Sequence, residues 1–199
     1  MGTALILHAG AEFLDSAQTA KRHLAAKGFT STVHSFEYQS VDSLPHMATK
    51  VDITAWYSHG GWDGPLFFFS SGQISRGGEN AGEWATLQAW FRAWVVEGGL
   101  FVSHACHSAG SNRYESTDGY AARRWVGDVA SDMGVYAVGV EGSTSSADRH
   151  HAVALLDFAL SASRARQAAR AYQPGGVLAQ PWHGWLTARR QARGAAGTR

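Results

Sequence analysis

Along the chain, short continuous apolar runs alternate with longer segments in which apolar residues recur every third or fourth position. Ala4-Leu-Ile-Leu7 is such a run, ending at His8-Ala9-Gly10, and predicts a central parallel strand. A helix is expected from Asp15 or Ser16 to about Lys27, with Ala17, Ala20 and Leu24 inward and Gly28 as its stop. Residues 29–36 alternate as a second strand, and 41–50 read as a weak helical segment interrupted by Pro45. A third strand is expected over Val51-Asp-Ile-Thr-Ala-Trp-Tyr-Ser58.

Leu66-Phe-Phe-Phe69 and Gln73-Ile-Ser75 predict a small hairpin around Ser70-Ser-Gly72, with loop from Arg76 to Asn80. From Ala81 the spacing of Trp84, Leu87, Trp90 or Phe91, and Trp94 is helical, ending at Gly98-Gly99. The run beginning Leu100-Phe-Val-Ser-His-Ala105 is a buried strand that breaks into Cys106-His-Ser108. A polar loop over 108–119, a helix over 120–133 with Gly134 as its stop, and a strand over 135–140 follow. A long helix from about Arg149 to Ala171, closed by Pro174-Gly-Gly176, is expected next, then a segment over 177–186 packing back, and a frayed basic end from Arg189.

Strands alternating with helices call for an α/β fold whose mainly parallel sheet is covered on both faces. No linker or repeat divides the chain, so one domain over 1–188 with a flexible basic tail over 189–199 is expected. Right-handed crossovers bring the carboxyl ends of parallel strands to one rim, where ligands bind in such sheets. His8, His59, Cys106 and Glu141 each close a strand and should meet there.

Composition narrows the function. A formal net charge of +1 gives no global pull toward nucleic acid or an anionic membrane, and neither is expected as a partner. A single cysteine rules out an internal disulfide framework and a multi-cysteine zinc site. The start lacks a basic n-region, its apolar run is short, Ile6 breaks a myristoylation pattern, and no run is long enough to span a bilayer, so a cytoplasmic protein is expected. Oligomeric state is left open.

The single cysteine stands where a strand meets a loop, and His59 stands at the same point of another strand. A thiol becomes a good nucleophile once ionised, and a neighbouring histidine is the usual means. Cys106 therefore reads as nucleophile and His59 as base and acid. Gly60 lets a substrate carbonyl approach the backbone, and the amides of Gly60 and Cys106 are candidates for holding the oxyanion.

Tyr57-Ser-His-Gly-Gly61 followed by Ala105-Cys-His-Ser-Ala-Gly110 resembles the caspase-like cysteine peptidases, most closely the metacaspases. His59-Gly-Gly-Trp-Asp-Gly-Pro-Leu-Phe67 is also similar to the legumain branch. The two motifs lie 47 residues apart, near the roughly fifty expected for caspases. The resemblance implies a three-layer caspase-like fold and a cysteine endopeptidase acting on a peptide or protein through a thioester, with no cofactor and with calcium dependence left open. It places the pocket for the residue before the cleaved bond (P1) at His8 to Glu12, His104, and Glu141 to Ser143. Metacaspases carry an Asp two residues before the nucleophile, where this chain has His104, and the candidates to replace that acid are Glu12 and Glu141. Ala109 is inserted before Gly110, and the caspase run Gln-Ala-Cys-Arg-Gly is missing. Arg113 falls where such enzymes are cut on maturation, although a plain loop is the simpler expectation.

Two other classes compete. One is an inactive caspase-like domain used for binding or assembly, against which the intact His59–Cys106 pair argues. The other is a cysteine amidohydrolase, which wants glycines flanking the nucleophile where this chain has Ala105 and His107. A metal at His104, Cys106 and His107 is disfavoured because 107 points to the opposite face of a strand from 104 and 106. His150-His151 reads as a solvated helix start and the Trp84, Trp90, Trp94 stripe as core.

Overall fold

The computed structural model describes residues 2–36, 41–61, 64–69, 72–76, 81–110, 124–145, 149–165 and 168–196. The first apolar run forms β1 (Gly2–His8), and a 3-10 turn (Ala11–Phe13) leads into α1 (Leu14–Ala26). Gly28, at φ +84°, turns the chain into β2 (Phe29–Ser35). Then come β3 (Val51–Tyr57), the short β4 (Gly60–Gly61), β5 (Gly64–Phe69) and β6 (Gly72–Gln73). α2 (Ala81–Trp94), β7 (Val95–His104), α3 (Trp125–Met133) and β8 (Tyr136–Val140) follow. The chain continues through α4 (Arg149–Ser161), β9 (Ala169–Gln173), β10 (Val177–Leu178) and α5 (Trp185–Ala196).

The main sheet has seven strands in the order β10-β9-β8-β7-β3-β1-β2. β2, β1, β3, β7 and β8 run parallel, while β9 and β10 close one side antiparallel. Alternation along the buried strands divides the core into two layers. Leu5, Leu7, Trp56 and Phe101 face α2 and α3, which contribute Trp84, Leu87, Trp90, Phe91, Trp125 and Val129. Ala4, Ile6, Tyr57, Leu100 and Val102 face α1, α4 and α5, which contribute Leu24, Leu156, Leu160 and Trp185. Trp56 anchors the first layer, with its ring centroid 5.4 Å from Phe101 and 5.6 Å from Phe36. The fold is thus an α/β three-layer arrangement, as the alternation of elements predicts.

Several expected boundaries are corrected. The first helix begins a turn before Asp15, and the 41–50 segment holds only a 3-10 turn over Val41–Ser43. Gly98-Gly99 does not end a helix: α2 passes directly into β7, and Gly98 (φ +66°) sits in that strand where pairing with β3 is irregular. The helix expected to reach Ala171 stops at Ser161, and the last residues of that span, from Ala169, lie in β9, pairing Ala171 with Val138. An open edge on β8 overrides the helical preference of Ala and Arg. As far as Ala196 the basic end is helical, not a frayed tail. Trp185 is buried with its Nε1–H donating to the Gly98 carbonyl, and one turn later Arg189 lies over its ring and pairs with Asp52. The start of the expected 120–133 helix and most of the 108–119 loop, with Arg113, lie outside the described residues.

Candidate functional site

β3 and β7 are neighbours in parallel register, Tyr57 opposite His104, and the Ser58 N–H donates to the His104 carbonyl at 3.4 Å. His59 and Cys106 each follow two residues beyond that pair, so both stand on the same rim of the sheet. A Cβ on Gly60 would lie 2.2 Å from the Cys106 carbonyl oxygen and 2.8 Å from its nitrogen. Only glycine permits this close approach, which packs the backbone after His59 against the backbone of Cys106.

The turn after β7 is held tightly. His107 has φ +56°, a left-handed conformation unusual outside glycine. Its N–H donates to the Gly142 carbonyl at 2.8 Å, and the Ala109 N–H donates to Val140 at 2.8 Å. Ser108 is fully buried: its hydroxyl donates to the Ser103 carbonyl and accepts from the Val140 N–H. These bonds fasten the cysteine turn to the end of β8, and a strained residue so constrained is typical of functional turns.

Cys106 is partly buried. The Thr144 N–H donates to its sulfur at 3.2 Å, and the thiol donates to the Thr144 carbonyl at 3.3 Å. Thr144 is itself held through its hydroxyl, hydrogen-bonded to His104 Nε2 at 3.1 Å. His104 is buried, its ring 5.7 Å from that of Tyr57, whose own burial pushes its hydroxyl well above the ordinary tyrosine value.

His59 is nearly half exposed, and its Nε2 lies 3.1 Å from Glu12 Oε1. The Phe13 ring meets the His59 ring edge-on at 5.0 Å. His8 is buried, with Nδ1 donating to the Gly10 carbonyl at 3.0 Å. Burial, and after it the nearby His8, holds the His34 ring below its ordinary value.

The rim therefore gathers the expected residues but distributes their work differently. His8 and His104 are buried and engaged with the backbone turn and with Thr144. Glu12 faces His59, and Glu141 is ion-paired with Arg170. Ser143 is exposed beside Thr144. Thr144 and Phe13 are the site residues that sequence reasoning missed. Neither has a chemical signature, and the proximity of Thr144 to Cys106 comes only from the neighbouring end of β8. Among the described residues no group of three or more His, Cys, Asp or Glu side chains could hold a metal ion, and no helix is long and apolar enough to cross a membrane.

No family model matches the chain, and none of the curated proteins does. Among solved structures, it is similar to a flavodoxin from Streptococcus pneumonia TIGR4, at 13% identity and a TM-score of 0.41, over 78% of this chain and 95% of that one.

Proposed function

We propose that the chain is a cysteine endopeptidase of caspase-like type, with Cys106 as nucleophile and His59 as its acid–base partner. The observation that carries this reading is the rim geometry: His59 and Cys106 at equal offsets beyond the paired Tyr57 and His104, with Gly60 packed onto the Cys106 backbone. The motif resemblance and the constrained turn after β7 support the same assignment.

In the reaction the Cys106 thiol gives its proton to His59, and the sulfur attacks the scissile carbonyl carbon. As the carbon–nitrogen bond breaks, His59 returns the proton to the departing amine and a thioester remains. Water then attacks the thioester with His59 as base, releasing the new carboxyl end and regenerating the thiol. The amides of Gly60 and Cys106 are the oxyanion donors in this scheme. No cofactor enters it.

The test is alkylation and cleavage with one control. Cys106 should react with iodoacetamide at mildly acidic pH much faster than free cysteine, because a neighbouring histidine base removes the thiol proton as the sulfur attacks. A positional-scanning peptide library should be cleaved by the wild type and not by Cys106→Ala. Reaction at the rate of free cysteine, with no cleavage, would support the inactive binding-domain alternative instead.

A further inference from the structure

We infer that Glu12 is a positioning residue that fixes the tautomer and orientation of His59; the inference rests on the proposed cysteine-peptidase reading. An ionised carboxylate can only accept, so the 3.1 Å contact makes His59 Nε2 the protonated nitrogen. The lone pair that takes and returns the thiol proton is then on Nδ1. The same carboxylate stabilises the imidazolium formed when His59 receives that proton.

The surrounding turn is built to hold Glu12 in this place. Its carboxylate folds back over Gly10 so closely that a Cβ there would lie 2.3 Å from Oε2. Gly10 itself, at φ +92°, is fixed by its carbonyl, which accepts from His8 Nδ1 at 3.0 Å and from the Phe13 N–H at 3.3 Å. Phe13, the next residue after Glu12, is buried and supports the His59 ring from a second side. One short turn after β1 thus supplies two contacts to the imidazole, one polar and one aromatic. As a stability element the pair matters little, because both partners are nearly half exposed and such pairs contribute little to folding. Its effect should be on the histidine, with the fold left intact.

The experiment uses the full chain, 15N-labelled, with His59→Asn to assign the His59 resonances among the ten histidines. In the wild type the nitrogen shifts should report a dominant Nε2–H tautomer, and Glu12→Ala should shift it to a mixture. Glu12→Gln, whose side-chain carbonyl still accepts from Nε2–H, should restore the tautomer. Alkylation of Cys106 by iodoacetamide should slow roughly tenfold in Glu12→Ala, a part of the 10²–10⁴ that acid–base partners supply. In Glu12→Gln it should recover most of that loss. An unchanged tautomer in Glu12→Ala together with unchanged alkylation overturns the inference while leaving the dyad standing. Slow alkylation in the wild type overturns the peptidase reading, and the role of Glu12 falls with it.

Discussion

The sulfur of Cys106 lies between the amide and the carbonyl of Thr144, 3.2 Å from one and 3.3 Å from the other. Thr144 is in turn tied through its hydroxyl to the buried His104. The residue two before the cysteine therefore reaches the nucleophile indirectly, through the loop after β8. Thr144→Val keeps the backbone contacts to sulfur and removes the bond to His104. Losing one partner of a buried polar group costs roughly 1–3 kcal/mol. Urea unfolding of the variant should show a loss of that size, and Thr144→Ser should recover it.

Gly60 makes the most demanding steric prediction. A methyl group at this position would overlap the Cys106 carbonyl at 2.2 Å, and that obstacle is backbone fixed by the bonds of the following turn. Gly60→Ala should cost roughly 1–3 kcal/mol, the usual range for overpacking. Because the strain falls on the cysteine turn, Cys106 alkylation should change as well. A variant equal to the wild type in both urea midpoint and alkylation rate would mean that β4 does not press on Cys106 in solution.

Two carboxylates should shape the acid limb of stability. For Asp157, burial, the largest influence, would raise its protonation range, but hydrogen bonds and charge from Lys27 and His23 outweigh it and hold it below the ordinary 3.8. For Asp132 burial again acts upward and is outweighed by Arg76 and by the Trp84 indole N–H. A carboxyl held lower in the folded chain than in the unfolded one stabilises the fold above pH 3.8. That contribution disappears as pH falls through the folded-state value. Urea midpoints should therefore drop below about pH 4. Asp157→Asn and Asp132→Asn should each flatten that drop and lower stability at neutral pH by about 1 kcal/mol.

How far the sequence revealed this molecule can be traced through individual residues. β1 was legible because Ala4 to Leu7 is an unbroken apolar run suited to a strand buried on both faces, and α2 because Trp84, Leu87 and Phe91 recur every three or four positions. β9 was not, since Ala and Arg prefer helix and only the edge of β8 makes Ala171 and Tyr172 a strand. α5 was misjudged from its basic composition, whereas Trp185 and Arg189 anchor it one turn apart. At the site, the placement of His59 and Cys106 on one rim followed from strand endings. The roles of the charged residues did not, because a carboxylate's partner is set by tertiary approach: Glu12 meets His59 from 47 positions away, and Glu141 meets Arg170 across the β8–β9 pair.

Those two pairings bear on which residue precedes the cleaved bond. On the peptidase reading, a basic P1 side chain needs an acid in its pocket, and the candidates were Glu12 and Glu141. Glu12 is engaged with His59, and Glu141 with Arg170, which holds the Arg170 guanidinium above its ordinary range chiefly through the bond to Glu141. Glu141 is already matched by a guanidinium, and Glu12 already accepts from the His59 ring, so neither offers its full attraction to a substrate cation. The wild type should therefore favour uncharged residues at P1 over Arg and Lys in a positional-scanning library. Arg170→Ala releases Glu141 and should shift the preference toward Arg and Lys, by several-fold if a partly buried charge pair worth about 1–2 kcal/mol forms with the substrate. Glu141→Gln in the same background should cancel that shift. Strong cleavage after Arg or Lys by the wild type would show that one of these two acids exchanges its internal partner for the substrate.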